Sequence, residues 1–419
     1  MPKKKKQSEE KISSPTQKAP SPTQPSELNP QKPPQPQSSE LPRAQEPLAQ
    51  ECPYCHSKDF VKRGTRQKKF ERAQLYLCRA CEKTFTAQSI KGKRYPLHII
   101  LEALNYYHLG YSYEQTASIL KQKFGHAITA PTISEWTTEF AEKCSYGRMR
   151  SYAVKQYTPQ QTIETVTMAH RQLYRFCYHH AKMNFILEEY KNHRLFPLKE
   201  YLDAVSAETP HQYFQDGLRA SEIKTRFSTN QLYIHAKQNY ATRTAEFVLQ
   251  AVKENSARHD TLQRFMIAND SVTVATEVPI YITQDDITHM QNILGFDIPL
   301  PEMWKNQDKK QGRKNGKLLI TGHIDALQIR NGHVHILDFK PHADHEKPIE
   351  QLVWYALALS RLTGLRLYEF MCAWFDDKNY YEFFPLHAVY KKKSKRKWNE
   401  KLAVGTTLRP DEMRPRHKT

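Results

Sequence analysis

The sequence predicts a multidomain chain: an unstructured N-terminal tail, a small cysteine-bound metal module, an all-α region, and a C-terminal α/β domain with a mixed sheet flanked by helices. Three observations predict it. Two Cys-x-x-Cys pairs stand close together early in the chain, apolar residues at helical spacing follow them, and alternating stretches mixed with helical ones fill the second half. At 419 residues the chain exceeds one ordinary core. Its 63 basic against 44 acidic residues, a net charge of +19, point to a polyanionic partner, nucleic acid first. No apolar run is long enough to span a bilayer, and no apolar segment follows the basic residues 1–6. A cytoplasmic, nucleoid-associated protein without a membrane partner is therefore expected, with homo-oligomerisation left open.

Residues 1–48 are Pro, Gln, Ser and Lys with almost no large apolar side chain. They bury too little surface to offset the entropy of ordering, and are read as disordered. Residues 49–90 hold Cys52-Pro53-Tyr54-Cys55 and Cys78-Arg79-Ala80-Cys81. Two such knuckles place four thiolates around one structural zinc ion, with no open position for chemistry. A redox role would need only one pair. The block is too small for a core of its own, so metal binding supplies much of its folding free energy. Lys58, Lys62, Arg63, Arg66, Lys68, Lys69 and Arg72 surround it and suit phosphate contacts, Lys62 and Arg63 foremost.

Residues 91–150 read as three helices. Leu97, Ile100, Leu101, Leu104 and His108 share one face, Ser112 caps the next helix, and Pro131 stands near the start of the last. This is a helix-turn-helix pattern, in which Ile133 and Trp136 pack inward while Thr132, Ser134, Glu135 and Thr138 face a DNA groove. A plain three-helix bundle is the alternative. Residues 151–225 are expected to be a helical connector. Its stretch from about 160 to 205 carries His170, Tyr174, Tyr178, His179 and Lys182, read as a half-exposed helix face rather than a metal site.

Residues 226–390 form the α/β domain, ahead of a basic tail over 391–419. A lead-in helix over about 231–254 precedes a strand at 272–278. Two alternating runs flank Asn331-Gly332, a strong hairpin signal that favours a type I′ turn. That turn pairs Arg330 with His333 and, by the same register, Asp325 with Asp338. Lys340 shares their face, together with Leu327, Ile329, Val334 and Ile336. Two carboxylates facing each other in apolar company repel, and a divalent cation with oxygen ligands relieves this, Mg²⁺ or Mn²⁺ by preference. A neighbouring lysine can steady a phosphate or a water there. The alternative is a surface hairpin with a local Asp–Lys ion pair. A helix over about 348–362, opened by Pro348 and closed before Gly364, and strands at 367–375 and 380–386 complete the domain.

Two resemblances follow from these residues. The cysteine pairs with Phe85, and the run from Gly110-Tyr111-Ser112-Tyr113 to Trp136, are similar to the N-terminal part of insertion-sequence transposases, where a zinc ribbon precedes a helix-turn-helix. That resemblance covers about 50–145 and implies DNA binding. Downstream acids are not spaced as in a DDE transposase core. Gly322-His323-Ile324-Asp325, Ile336-Leu337-Asp338-Phe339-Lys340 and Gln351-Leu352-Val353-Trp354-Tyr355 resemble the Gly-x-x-Asp strand, Asp-x-Lys strand and Gln-x-x-x-Tyr helix of the PD-(D/E)XK nuclease superfamily, most closely its RecB-like branch. Over about 240–390 this implies a restriction-endonuclease-like fold and a metal-dependent nuclease. Asp325 and Asp338 would be metal ligands, Lys340 would position or activate water, and Gln351 and Tyr355 would hold substrate or brace the site. The family often adds a His or Glu ligand on the first helix of the core. Glu246 takes that place provisionally, with Glu277 as second candidate. The expectation is a Mg²⁺-dependent deoxyribonuclease, tied to a mobile element or a defence system. Its rivals are a DNA-binding regulator with an inactive nuclease fold, and a transposase.

Overall fold

The alternating stretches around the cysteines pair as a three-stranded antiparallel sheet, β1 (Phe60–Gln67), β2 (Arg72–Cys78) and β3 (Thr84–Thr86). Its apolar centre is little more than Cys52, Tyr76, Cys78 and Phe85, which agrees with a module that needs a metal to hold it. The structure is a computed structural model and describes residues 51–67, 72–86, 94–229, 232–252, 254–301 and 318–390. The tail over 1–48, the basic segment over 391–419, and Lys68 and Lys69 lie outside them.

Three helices follow, α1 (Leu97–Leu109), α2 (Tyr113–Phe124) and α3 (Ala130–Glu139). Local chemistry sets their limits. Gly110 (φ 117°) and Gly125 (φ 69°) end α1 and α2 in the left-handed region that glycine tolerates. The Ser112 hydroxyl accepts the Gln115 amide at 3.1 Å while Gln115 returns a bond to the Ser112 amide, a capping box. Thr129 caps α3, which carries Pro131 in its first turn. Ile133 and Trp136 are buried as expected.

Residues 147–229 depart from the expected helical connector. α4 (Gly147–Gln156) and the single turn α5 (Pro159–Thr162) lead into an antiparallel hairpin, β4 (Ile163–His170) and β5 (Gln172–His179). Its turn residue is Arg171, at φ 60°, so no Gly or Asn marks the turn in the sequence. α6 (His180–Glu188), α7 (Phe196–Glu208), α8 (His211–Asp216) and the two-residue strand β6 (Leu218–Arg219) complete the segment. His170, Tyr178, His179 and Lys182 are buried rather than half-exposed. Lys182 Nζ donates to the carbonyls of Ile267 (2.6 Å) and Thr273 (3.0 Å) and lies 3.4 Å from Asp270.

The expected lead-in helix is also different. The strand β7 (His235–Ala236) precedes α9 (Tyr240–Leu249), which Asn239 caps, and a separate helix, α10 (Asn255–Asn269), follows. Then come β8 (Thr273–Thr283), α11 (Gln284–Asn292), β9 (Leu319–Arg330), β10 (His333–Phe339), α12 (Ile349–Thr363), β11 (Phe370–Phe375), β12 (Tyr380–Phe383) and the turn α13 (Leu386–Val389). Among the described residues the sheet runs β4-β5-β8-β9-β10-β11-β12-β7, with β6 paired in parallel to the start of β9. It is mixed: β10 and β11 are parallel and α12 crosses between them, while β9 and β10 form the antiparallel hairpin. The turn has φ 49° at Asn331 and 74° at Gly332, as type I′ demands, and the register runs from Arg330–His333 to Ala326–Leu337 as expected.

Helices cover both faces. One layer joins Leu198 and Leu202 of α7 and Leu352 and Leu359 of α12 to Leu327, Ile329, Val334 and Ile336. The other joins α1, α3, α9 and α10 to Ala326, Leu337, Phe339 and Phe375. The block of α1 and α3 therefore shares a core with the sheet. A buried polar network reinforces the join: Asn269 of α10 meets His108 Nδ1 at 2.7 Å and donates to Asn105 Oδ1 at 2.5 Å, both on α1.

Candidate active site

The hairpin ladder between β9 and β10 stops at Ala326–Leu337. β6 takes the same edge of β9 at Ile320 and Thr321, because β8 occupies the other edge throughout. Between these two partners lies Gly322-His323-Ile324-Asp325, a stretch of strand edge without a neighbour. The alternation of β9 also breaks here, since Ile324 joins the same apolar layer as Leu327 and Ile329. A cavity of about 320 Å³ opens at this break. Asp325, Asp338, Lys340, Gln351 and Tyr355 all line it, as the sequence predicts.

Asp325 and Asp338 face one cavity, although no ladder pair joins them. The Asp325 carboxylate instead accepts the Phe339 amide at 2.9 Å. Asp338 is 1 % exposed. Burial first, and Asp325 next, push its carboxyl up to about 8 against the pull of Lys340. Lys340 Nζ forms an ion pair with the buried Asp338 Oδ2 at 2.9 Å. Burial opposes the charge on Lys340, yet Asp338 and Asp325 raise its ammonium above the usual range.

The further acidic and imidazole groups of the cavity come from β8 and α10, not from α9. Glu246 is exposed on α9 and does not line the cavity. Glu277, the second candidate, does, and sits across from Asp325 in the β8–β9 register between Thr276–Ala326 and Val278–Ile324. It holds φ 50° in mid-strand, a left-handed backbone that costs on the order of 1–3 kcal/mol for a non-glycine residue. Two side chains of α10, one turn apart, reach it. His259 Nδ1 lies 3.4 Å from Glu277 Oε1 and its Nε2 is 2.7 Å from Asp325 Oδ2. Gln263 Nε2 donates to Glu277 Oε1 at 2.7 Å and to the Asp325 carbonyl at 3.0 Å. Burial opposes protonation of His259, but the two carboxylates hold it well above the usual imidazole range. For Asp325, burial pushes up and His259 pulls down, and the net is a lowered carboxyl. His259, one helix later than Glu246, thus faces Glu277 and Asp325 across the cavity, and its spacing to Gln263, one helical turn, is the sequence signal for both.

These groups fit a divalent cation. Ligand atoms of His259, Glu277 and Asp325 lie within 4.8 Å of one another, Asp338 lines the same cavity, and the crowding that raises Asp338 is what a cation relieves. From the α12 side, Gln351 Nε2 donates to Tyr355 Oη at 2.8 Å. The Tyr355 ring lies so close over Gly322 that a Cβ there would stand 2.4 Å from Cε1. Gly322 is required for this approach rather than for a turn.

The unpredicted hairpin adds a wall. Tyr174 of β5 stacks on His323, and His170 of β4 joins His323 and His211 in a chain of imidazole contacts, each 2.8 Å. Burial lowers His170 to about 4 and His323 to about 3. Arg219 of β6 also lines the cavity.

In the cysteine module, Cys52 and Cys81 sulfurs are 3.6 Å apart and Cys55 and Cys78 sulfurs 3.5 Å. Tetrahedral zinc with Zn–S of about 2.3 Å sets sulfurs about 3.8 Å apart, so the four thiols, all free, form a cluster that could bind zinc. Lys62 and Arg63 are exposed on β1. On α3, Glu135 and Thr138 are exposed, while Thr132 and Ser134 are half-buried. Thr132 Oγ1 meets the capping Thr129 at 2.9 Å. No described helix is long and apolar enough to cross a membrane. Comparison with protein-family models, curated proteins and solved structures found no match to this chain.

Proposed function

We propose that the chain is a metal-dependent deoxyribonuclease of the PD-(D/E)XK kind, with Zn²⁺ in the cysteine module and Mg²⁺ or Mn²⁺ in the cavity. One observation carries this reading: three separate elements, α10, β8 and the β9–β10 hairpin, deliver His259, Glu277, Asp325, Asp338 and Lys340 to one 320 Å³ cavity. A structural ion pair needs two of these groups, not five. Asp325 and Glu277 would hold the cation, joined by His259 and Asp338 once each loses its proton. Bound there, a divalent cation supplies Lewis-acid stabilisation of phosphate charge and lowers the pKa of water. Lys340 presents an ammonium donor to the attacking water or to a non-bridging phosphate oxygen. Gln263 fixes Glu277, and the Gln351–Tyr355 pair braces the Gly322 strand, so the ligands are pre-set before substrate arrives.

The basic cysteine module and the exposed Glu135 and Thr138 of α3 support delivery of DNA by the N-terminal half. The decisive test uses linear and circular DNA with Mg²⁺, Mn²⁺ or EDTA, beside Asp338→Ala and Lys340→Ala. Cleavage that needs the metal and vanishes in both variants supports the reading. Cleavage that survives either substitution sinks the site, and no cleavage of any substrate favours a DNA-binding regulator.

A further inference from the structure

Arg219 is the cation of this cavity that the proposed chemistry does not use. β6 sets it on the edge of β9 beside the break, opposite Thr321, while Lys340 follows β10 on the far side of the break. Its guanidinium is held in place. Nη2 donates to Gln172 Oε1 at 3.1 Å and to the Tyr174 hydroxyl, both from β5. Nη1 meets only the exposed Glu222, at 3.4 Å, a weak pair in water. Nε has no acceptor among the described residues, and no acid of the cavity pairs with Arg219. The cavity acids are answered by His259 and Lys340. A fixed planar fork with an unused Nε–H, its charge met among the described residues only by an exposed carboxylate, recognises an anion.

We propose that Arg219 clamps a phosphate of the nucleic-acid strand next to the one that is cut, either an internal diester or a terminal monoester. The proposal rests on the nuclease reading, and makes the β4–β5 hairpin, through Gln172 and Tyr174, the element that positions the clamp.

The test is equilibrium binding of the full chain, by fluorescence anisotropy in Ca²⁺, to DNA oligonucleotides that each carry one uncharged methylphosphonate, with and without a 5′-phosphate. Wild type, Arg219→Gln, Arg219→Lys and Tyr174→Phe are compared. At one phosphate, neutralisation should weaken wild-type binding by about tenfold, the order expected for a charged hydrogen bond, and leave Arg219→Gln unaffected. The two losses do not add because they remove the same contact. Arg219→Lys regains part of the loss, since it restores the charge without the fork. Tyr174→Phe lowers the sensitivity to that phosphate, since it removes one of the two bonds that position the fork, while leaving the Gln172 bond in place. An internal position marks a diester, and loss on removing the 5′-phosphate marks a strand end. Losses that add at every position, or an Arg219→Gln variant that binds as wild type, overturn the clamp. Cleavage in Mg²⁺ is measured in parallel with Asp338→Asn. A wild type that cuts nothing overturns the nuclease reading, while the binding comparison still decides Arg219.

Discussion

Replacing Asp338 by Asn should make the cation-free protein more stable while it abolishes activity, and the stability gain should grow with pH. Without a cation, burial and Asp325 push the Asp338 carboxyl up to about 8. In the unfolded chain an aspartate titrates near about 3.9. Between these values the folded state keeps a proton that the unfolded state has released, so stability is present at low pH, falls as pH rises, and is lost through about 8. Each pH unit in this window removes about 1.4 kcal/mol. Asn has no proton to lose, so the variant lacks this slope. Any fixed difference from the altered contact with Lys340 is independent of this pH window. From pH 5 to 7 the gap should therefore widen by about 3 kcal/mol, and it should level off above pH 8. At about 2–4 °C per kcal/mol for a domain of this size, that is a divergence of about 5–10 °C in Tm. The assay is thermal unfolding of both proteins from pH 5 to 9 in buffer without Mg²⁺, with zinc retained. Saturating Mg²⁺ should then stabilise wild type more than the variant. Parallel pH curves would refute the reasoning, because they would show that Asp338 is not the strained acid of the site.

Three further outcomes are expected. His259→Ala should weaken binding of Mn²⁺ to the cavity at least tenfold by isothermal titration, with zinc content unchanged by metal analysis, and unaltered Mn²⁺ affinity would remove His259 from the site. Gly322→Ala should cost about 1–3 kcal/mol in urea unfolding and most of the activity, because its Cβ would stand 2.4 Å from Tyr355 Cε1; a fully active variant would show that this approach is dispensable. Asn269→Ala strands His108 and Asn105 without their partner and should cost about 2–3 kcal/mol, and hydrogen exchange should rise in both α1 and α10 rather than in α10 alone.

The parts of the site that were legible share a property: each depends on a short stretch of chain. Asn331-Gly332 dictates a two-residue turn, and the turn dictates the register from Arg330–His333 to Ala326–Leu337; the expected Asp325–Asp338 pair is not part of that ladder, yet both residues and Lys340 line one cavity. Gln351 and Tyr355 are one helical turn apart. The cysteine pairs announce themselves by spacing. What was missed depends on tertiary context. α10 is buried along its whole second half, from Leu262 to Asn269, apart from Arg264, so it lacks the polar stripe that gives a helix its period, and His259 was hidden with it. The β4–β5 hairpin turns at a left-handed arginine, so its aromatic residues, Tyr174, Phe176 and Tyr178, passed for a helix face. The break in β9 alternation at Asp325 arises from competition between β6 and β10 for one edge, which no window of sequence contains.

α10 connects these findings mechanically. Its cavity end carries His259 and Gln263, which hold Asp325 and Glu277, and its far end carries Asn269, which is bonded into α1. α1, α3 and α10 also share one apolar layer with Ala326 and Leu337, the pair at which the hairpin ladder ends. A load on α1 and α3 is thus borne by the same packed layer that sets where β9 and β10 part, and close-packed layers shift as units rather than deform gradually. If α3 contacts DNA, the distance between that contact and the cavity is set by packing, not by a linker. Cleavage by such an arrangement should fall at a constant offset from the bound sequence, and DNA inserted between the two should change which nucleotides are cut but not that distance. A scatter of cut positions that widens with spacer length would contradict the shared core as the link between reading and cutting.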